Sequence, residues 1–140
     1  MGRALNSDDD YYRYCTSLAG EVESWLAGAL GRDMVRREGR FHIHLPAVDD
    51  SPAVRIYIAY GEVSVTIAES FETDVAYDVD IGLPALVAGL TRLIEADLCE
   101  ESVRPFGANR RRWRLVSPRD SDRAAPRKRR LRRWQGRRLT

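Results

Sequence analysis

Hydrophobic residues recur at helical spacing in the first part of the chain. Ser7 and the three aspartates that follow it favour a helix start, because serine caps free N–H groups and carboxylates suit the positive end of the helix dipole. Apolar residues then recur every three or four positions as far as Gly31, a residue type that commonly ends helices. The pattern predicts one amphipathic helix over residues 8–30.

The hydrophobic period then changes from 3.6 to 2, which is typical of strands with one buried face. Alternating segments cover 41–45, 54–58, 63–67 and 75–81. A two-residue hairpin loop at Tyr60-Gly61 would pair Ile58 with Val63 and would keep both apolar sets on one side of the sheet. We therefore expect a four-stranded antiparallel meander with one buried face.

A second helix and a last strand follow the meander. Gly82-Leu83-Pro84 suits a helix start, and an apolar stripe continues to Leu98. The segment 111–116 alternates again and predicts a short strand. The resulting order, α-β-β-β-β-α-β, predicts an α+β two-layer sandwich. We expect this acidic globular domain to occupy residues 1–116 and residues 117–140 to form a disordered Arg-rich tail.

Charge is divided unevenly along the chain. The formal net charge is only +2, but residues 1–109 carry 9 Lys and Arg against 19 Asp and Glu, a net charge of −10. Residues 110–140 carry 14 Lys and Arg against 2 Asp and Glu, a net charge of +12. Lys128 is the only lysine, so nearly every cation is a guanidinium, which can bind phosphate in a bidentate manner and stack on bases.

An arginine-rich segment with an indole among its cations predicts binding to a polyanion, above all DNA or RNA. Alternation within the last strand would place further arginines beside this segment on the folded body. An anionic membrane surface and the absence of any specific polyanion partner are the alternatives. The predicted nucleic-acid-binding residues are Arg110, Arg112, Arg114, Arg127, Lys128, Arg129, Arg130, Arg132, Arg133, Trp134, Arg137 and Arg138.

The acidic residues of the body suggest a second kind of interaction. Asp74, Asp78 and Asp80 belong to an acidic stretch that would lie on the solvated face of the fourth strand. They could dock a basic protein, in the manner of a chaperone-like adaptor or an inhibitor, or the protein's own tail. An exposed sheet edge could also support a homodimer.

Catalytic signals are sparse. The sequence contains no Gly-rich phosphate loop, GxSxG, HExxH or CxxC motif, and we assign no catalytic residue, cofactor or metal. A small metal-dependent enzyme that uses His42 and His44 with Asp78 and Asp80 is the remaining enzymatic alternative. The sequence has no apolar stretch long enough to span a bilayer, and we expect a cytoplasmic, non-enzymatic binding or accessory protein, associated with nucleic acid or regulatory.

Overall fold

A computed structural model describes residues 7–103, 110–117 and 132–139, and for residues 101–103, 110 and 111 it describes the backbone. Residues 7–76 form one helix, a single 3-10 turn and five strands. The described residues after 76 contribute one further helix and three strands. The elements are α1 (Asp8–Leu30), a 3-10 turn (Arg32–Met34), β1 (Arg36–Glu38), β2 (His42–Leu45), β3 (Val54–Ile58), β4 (Glu62–Ile67), β5 (Phe71–Ala76), α2 (Leu83–Glu95), β6 (Asp97–Val103), β7 (Arg110–Val116) and β8 (Arg132–Trp134).

The first helix has the predicted bounds. The Ser7 side chain accepts a hydrogen bond from the backbone N–H of Asp10 at 3.2 Å. At the other end the helix stops at Gly31, whose φ of 102° disfavours residues with a Cβ. Its buried face consists of Cys15, Leu18, Ala19, Val22 and Leu26.

The five strands β1 to β5 form one antiparallel meander in chain order. Ile58 lies directly across from Val63, which confirms the predicted hairpin register. The added strand, β1, was not predicted because its three residues are all charged. Arg37 explains how such a strand is held, since its guanidinium donates to the carbonyl oxygen of Thr16 on α1 at 3.3 Å and lies 3.8 Å from a carboxylate oxygen of Glu23.

The predicted strand over residues 75–81 is wrong in its position. The strand observed there is β5, which ends at Ala76. The side chain of Asp78 accepts a hydrogen bond from the backbone N–H of Asp80. The backbone carbonyl oxygen of Asp78 accepts hydrogen bonds from the N–H groups of Ile81 and Gly82. These hydrogen bonds form a turn where a ladder would otherwise continue. Ile81 is consequently 57% exposed instead of buried.

The second helix begins as predicted but ends earlier. Gly82 precedes it with a φ of 76°, and the chain leaves the helix at Ala96, whose ψ is 146°. The apolar stripe misleads at this point because Leu98 continues the helical spacing by coincidence. Leu98 and Cys99 are buried in β6 instead.

A second sheet of three strands has the order β7-β6-β8, all antiparallel. The predicted last strand is present as β7, whereas β6 and β8 were not predicted. The prediction of a disordered tail is wrong for residues 132–139, which run along the body and provide β8. Residues 118–131 lie outside the described part of the chain, so the domain boundary at 116 stays a prediction.

The core lies on one face of the five-stranded sheet, where both helices cover it. The buried strand residues alternate with exposed ones, as a sheet solvated on its other face requires. Trp113, Leu115, Trp134 and Leu139 of the C-terminal region pack against this same core. Cys15 and Cys99 are buried, and they do not form a disulfide with each other. The fold is therefore α+β, as expected, but with two sheets.

Candidate nucleic-acid interface

The central strand β6 brings together two arginine-rich segments that are far apart in sequence. Cys99 lies directly across from Arg114 of β7 on one side and from Arg133 of β8 on the other. Glu100 in the same way lies directly across from Trp113 of β7 and from Arg132 of β8. The three-stranded sheet thus holds the basic strand predicted on the body on one side of β6 and part of the predicted tail on the other.

Two indole rings stack over this central strand. The ring centroids of Trp113 and Trp134 are 4.6 Å apart and their planes differ by 13°. The guanidinium carbon of Arg132 lies 4.9 Å from the centroid of the Trp134 ring, a distance suited to a cation–π contact. Both tryptophans are half-buried and Arg132 is exposed. The stack therefore holds one guanidinium at the surface through a contact that leaves its hydrogen-bond donors available to an anion.

A buried carboxylate anchors the C-terminal segment. One oxygen of Asp97 accepts from the backbone N–H of Gly136 at 3.1 Å, and the other lies 3.2 Å from the Nε of Arg133. The Asp97 side chain is only 6% exposed. A carboxylate in such surroundings is stabilised by charge-assisted hydrogen bonds, so it favours the docked position of residues 132–139.

Backbone hydrogen bonds continue this attachment beyond β8. The N–H groups of Gln135 and Arg137 donate to the carbonyl oxygens of Asp50 and Ile94 at 3.0 and 2.9 Å. At Gly136 the backbones approach so closely that a Cβ would lie 2.5 Å from backbone atoms of residues 95 and 96. Glycine is the residue that permits this contact.

Arg137 differs from the prediction that it faces a polyanion. Arg137 is only 7% exposed, and its guanidinium donates a hydrogen bond to the carbonyl oxygen of Pro46. Its Nε and Nη1 atoms are buried without a partner in the described part of the protein. Burial lowers the pKa of this guanidinium below its ordinary value, because desolvation disfavours the charged form. Arg137 thus belongs to the docked interior instead of the surface.

The other predicted cations divide into three groups. Arg112, Arg114, Arg132, Arg133 and Arg138 are exposed on or beside the three-stranded sheet. Arg110 begins β7. Arg127, Lys128, Arg129 and Arg130 lie outside the described residues.

The three predicted acidic docking residues lie on one strand and on the turn that follows it. Asp74 is exposed on β5, an edge strand, and accepts a hydrogen bond from the Ser64 hydroxyl at 2.8 Å. Asp78 and Asp80 are exposed in the turn that follows this strand. The sequence predicted that Asp78 and Asp80 would lie on a strand face, whereas the structure places them in a turn.

The structure does not assemble the alternative metal site. His42 and His44 lie on β2, whereas Asp78 and Asp80 follow β5, three strand positions away. Neighbouring strands are about 4.8 Å apart, so this separation is about 14 Å and too long for shared coordination. In the described ranges, no group of three or more His, Cys, Asp or Glu side chains could hold a metal ion.

The residues that anchor the C-terminal segment were missed by sequence reasoning. Asp97 stood inside a stretch that was interpreted as helix, and Asp50 stood in a predicted turn. The sequence did suggest that acidic residues of the body could contact the tail. The acidic stretch considered for that contact was 69–80, whereas the structure uses Asp97.

The chain matches no protein-family model, and neither the curated proteins nor the solved structures contain a match. Within the described residues, neither helix combines the length and the apolar character needed to cross a membrane. The function must therefore be argued from the site itself.

Proposed function

We propose that this protein is a non-enzymatic nucleic-acid-binding accessory protein whose interface is the three-stranded sheet and the arginine-rich segment leading into it. The observation that carries the proposal is the position of the exposed Arg132 on the stacked Trp113–Trp134 pair, within a sheet whose two outer strands both carry exposed arginines. A guanidinium group held against stacked aromatic rings combines a cation for phosphates with planar groups for bases, the two elements that favour nucleic-acid binding.

The arginines supply affinity through the phosphates. When guanidinium groups bind phosphates, they release the condensed counterions of the nucleic acid, so binding weakens steeply as the salt concentration rises. Such phosphate contacts carry no base specificity. The negative charge of the body limits the contact to this region, because like charge repels phosphate elsewhere. We therefore expect binding that depends on salt more than on sequence.

Removing two interface charges tests this function. The double variant Arg112→Gln/Arg132→Gln should bind a DNA duplex more weakly and should reduce the slope of log affinity against log salt by about 2. The matched control Arg32→Gln/Arg92→Gln removes two exposed arginines that lie outside the three-stranded sheet, in the 3-10 turn and in α2. Fluorescence anisotropy of the full-length chains at several salt concentrations measures both quantities. An interface variant with unchanged affinity and slope would contradict the proposal.

A protein partner is the second candidate, and the placement of three carboxylates favours it. Asp74, Asp78 and Asp80 lie on an edge strand and on the turn directly after it. Such an edge can accept a strand from a partner, and the carboxylates would select a basic one. Reversing these three charges to lysine should then abolish pull-down of the partner, whereas intact pull-down would argue against it.

A further inference from the structure

A ribbon of aromatic rings lies on the surface at the opposite end of α1 from the arginine-rich interface. Tyr12 stacks on Phe41 with centroids 5.7 Å apart, and Phe41 meets Tyr57 edge to face at 6.5 Å. Tyr57 in turn lies 4.8 Å from the ring of His42. The two tyrosines are 46% and 42% exposed, and His42 is exposed as well. The four rings thus form a chain of contacts in which Tyr12, Tyr57 and His42 are exposed and Phe41 is half-buried against the core.

The ribbon reaches the face of the five-stranded sheet that the helices leave uncovered. His42 and Tyr57 are directly paired across β2 and β3, so their side chains emerge on the same face. Their neighbours along each strand, such as Ile43 and Ile56, are fully buried on the other face. The strand alternation therefore holds these rings outward, where core packing does not use them.

Guanidinium groups flank the rings. Arg36 of β1 and Arg55 of β3 are exposed, and both lie directly across from His44 of β2. His44 is two residues along β2 from His42, so these arginines lie next to the His42–Tyr57 pair on the same face of the sheet. Arg13 and Arg40 are exposed and adjoin Tyr12 and Phe41 in sequence. The same pattern of rings among arginines that characterises the C-terminal region thus occurs at a second place.

Two carboxylates near the rings each lie close to a side-chain nitrogen. A Glu38 oxygen lies 3.5 Å from Nδ1 of His44, and an Asp10 oxygen lies 4.0 Å from Nη1 of Arg13. The exposed carboxylates of β5 are two strand spacings from β3, about 10 Å. The exposed face therefore has a cationic, aromatic part over β1–β3 and an acidic part at β5.

We propose that this ring surface, formed by Tyr12, Phe41, His42 and Tyr57 with Arg36 and Arg55, binds unpaired bases of a single-stranded nucleic acid. Exposed planar rings stack on splayed bases but cannot reach bases within an intact duplex, and adjacent guanidinium groups contact the phosphates between them. The inference deepens the proposed function, on which it rests for the class of partner, by adding a preference for single strands.

The two surfaces lie far enough apart to be separated by mutation. Tyr12 is near the first turn of α1, whereas Leu30, at its last turn, lines the same cleft as the exposed Arg138. A helical rise of 1.5 Å per residue makes these ends about 27 Å apart. A single strand that follows the body can contact both surfaces, while a duplex would engage the arginines alone.

The test compares single-stranded and duplex probes on full-length variants. Tyr57→Ala should weaken binding of a labelled single-stranded oligonucleotide about tenfold, the size typical of losing one stacked base, and should change duplex affinity less than about twofold. Tyr57→Phe keeps the ring and should restore the single-strand affinity. Ile81→Ala serves as a control, because it removes an exposed apolar side chain outside the ring surface. Ribose and deoxyribose probes distinguish RNA from DNA.

Each outcome separates this inference from the proposed function. Unchanged single-strand affinity in Tyr57→Ala would overturn the inference, and so would an equal loss on both probes. Loss of all binding in Arg112→Gln/Arg132→Gln with no effect of Tyr57→Ala would support the proposed function alone. The reverse result would support the ring surface alone. If Tyr57→Ala lowers thermal stability, Tyr57→Leu provides an apolar strand-compatible side chain without a ring, and the same comparison applies.

Discussion

Arg133 and Asp97 form an ion pair that joins the end of the chain to the middle strand of the second sheet. The Nε–Oδ2 distance is 3.2 Å, and the Asp97 side chain is almost fully buried while Arg133 is about one-third exposed. The same carboxylate accepts the Gly136 N–H. One buried acid thus holds both a side chain and the backbone of the docked segment.

Replacing Asp97 should loosen this attachment. Asp97→Ala leaves the Gly136 N–H without its acceptor and removes the partner of Arg133, so the free energy of unfolding should fall by about 2 kcal/mol. Guanidinium chloride denaturation of the full chain measures the change. Glu72→Ala is the control, since it removes an exposed carboxylate from β5 and should change stability by less than about 0.5 kcal/mol. Equal effects of the two substitutions would show that Asp97 has no special role.

Adding a methyl group at Gly136 should displace residues 132–139. The new Cβ would meet backbone atoms of Glu95 and Ala96 at 2.5 Å, and backbone cannot move aside as a flexible side chain can. Gly136→Ala should therefore increase amide hydrogen exchange in β8. Gly28→Ala is the matched control, because nothing lies within 4 Å of its added Cβ and alanine favours the helix by about 0.5–1 kcal/mol. Unchanged exchange in Gly136→Ala would contradict the close approach.

The stacked indoles should have a spectroscopic signature. Parallel rings with centroids 4.6 Å apart couple electronically, so the native protein should show a tryptophan circular-dichroism couplet. Trp134→Ala should remove it and expose Trp113 to solvent, with a red shift of its emission. Trp25→Phe, a substitution in α1, should leave the couplet intact. A couplet that survives in Trp134→Ala would exclude the stack as its source.

Alkaline pH should destabilise the fold through Tyr77. Burial, by desolvating the phenolate, raises the pKa of Tyr77 well above its ordinary value of 10.0. The folded state then favours the protonated phenol, whose stabilising effect is complete below about pH 9 and is lost as the pH rises above about 10. Tyr77→Phe should lower stability at neutral pH by about 1 kcal/mol, because the hydroxyl donates to the Ala59 carbonyl oxygen at 2.7 Å.

The same variant should show a smaller loss of stability between about pH 9 and pH 11 than the natural sequence. Thermal denaturation at each pH provides the comparison. Tyr12→Phe is a suitable control, because Tyr12 is 46% exposed. Identical pH profiles for the Tyr77→Phe variant and the natural sequence would contradict the assignment.

Local patterns were sufficient for elements whose faces are amphipathic. The bounds of α1 followed from Ser7, the apolar spacing and Gly31, and the β3–β4 register followed from alternation on both sides of Tyr60-Gly61. At residues 77–81 alternation was misleading, because Asp78 closes a turn with its own side chain. A hydrogen bond of that kind competes with the strand without altering the hydrophobic pattern.

The sequence predicted which residue types form the candidate site, but it did not predict how they are arranged. Arginine content and Trp134 indicated polyanion binding, and alternation placed Arg112 and Arg114 on one face of β7. No local signal indicated that β8 would pair with β6, because Arg132–Trp134 contains a single apolar residue and two like charges. Only a preformed edge with an acidic anchor makes such a segment a strand.

By itself, the sequence determined the α+β class, the positions of α1 and of the β3–β4 hairpin, and the acidic body with its basic end. These features depend on contacts between neighbours in the chain, which spacing and charge express directly. Tertiary structure alone decided the second sheet, the burial of Arg137 and the stacking of Trp113 on Trp134. Each of these joins residues separated by long stretches of chain, and their free energy comes from surfaces that exist only after the body has folded.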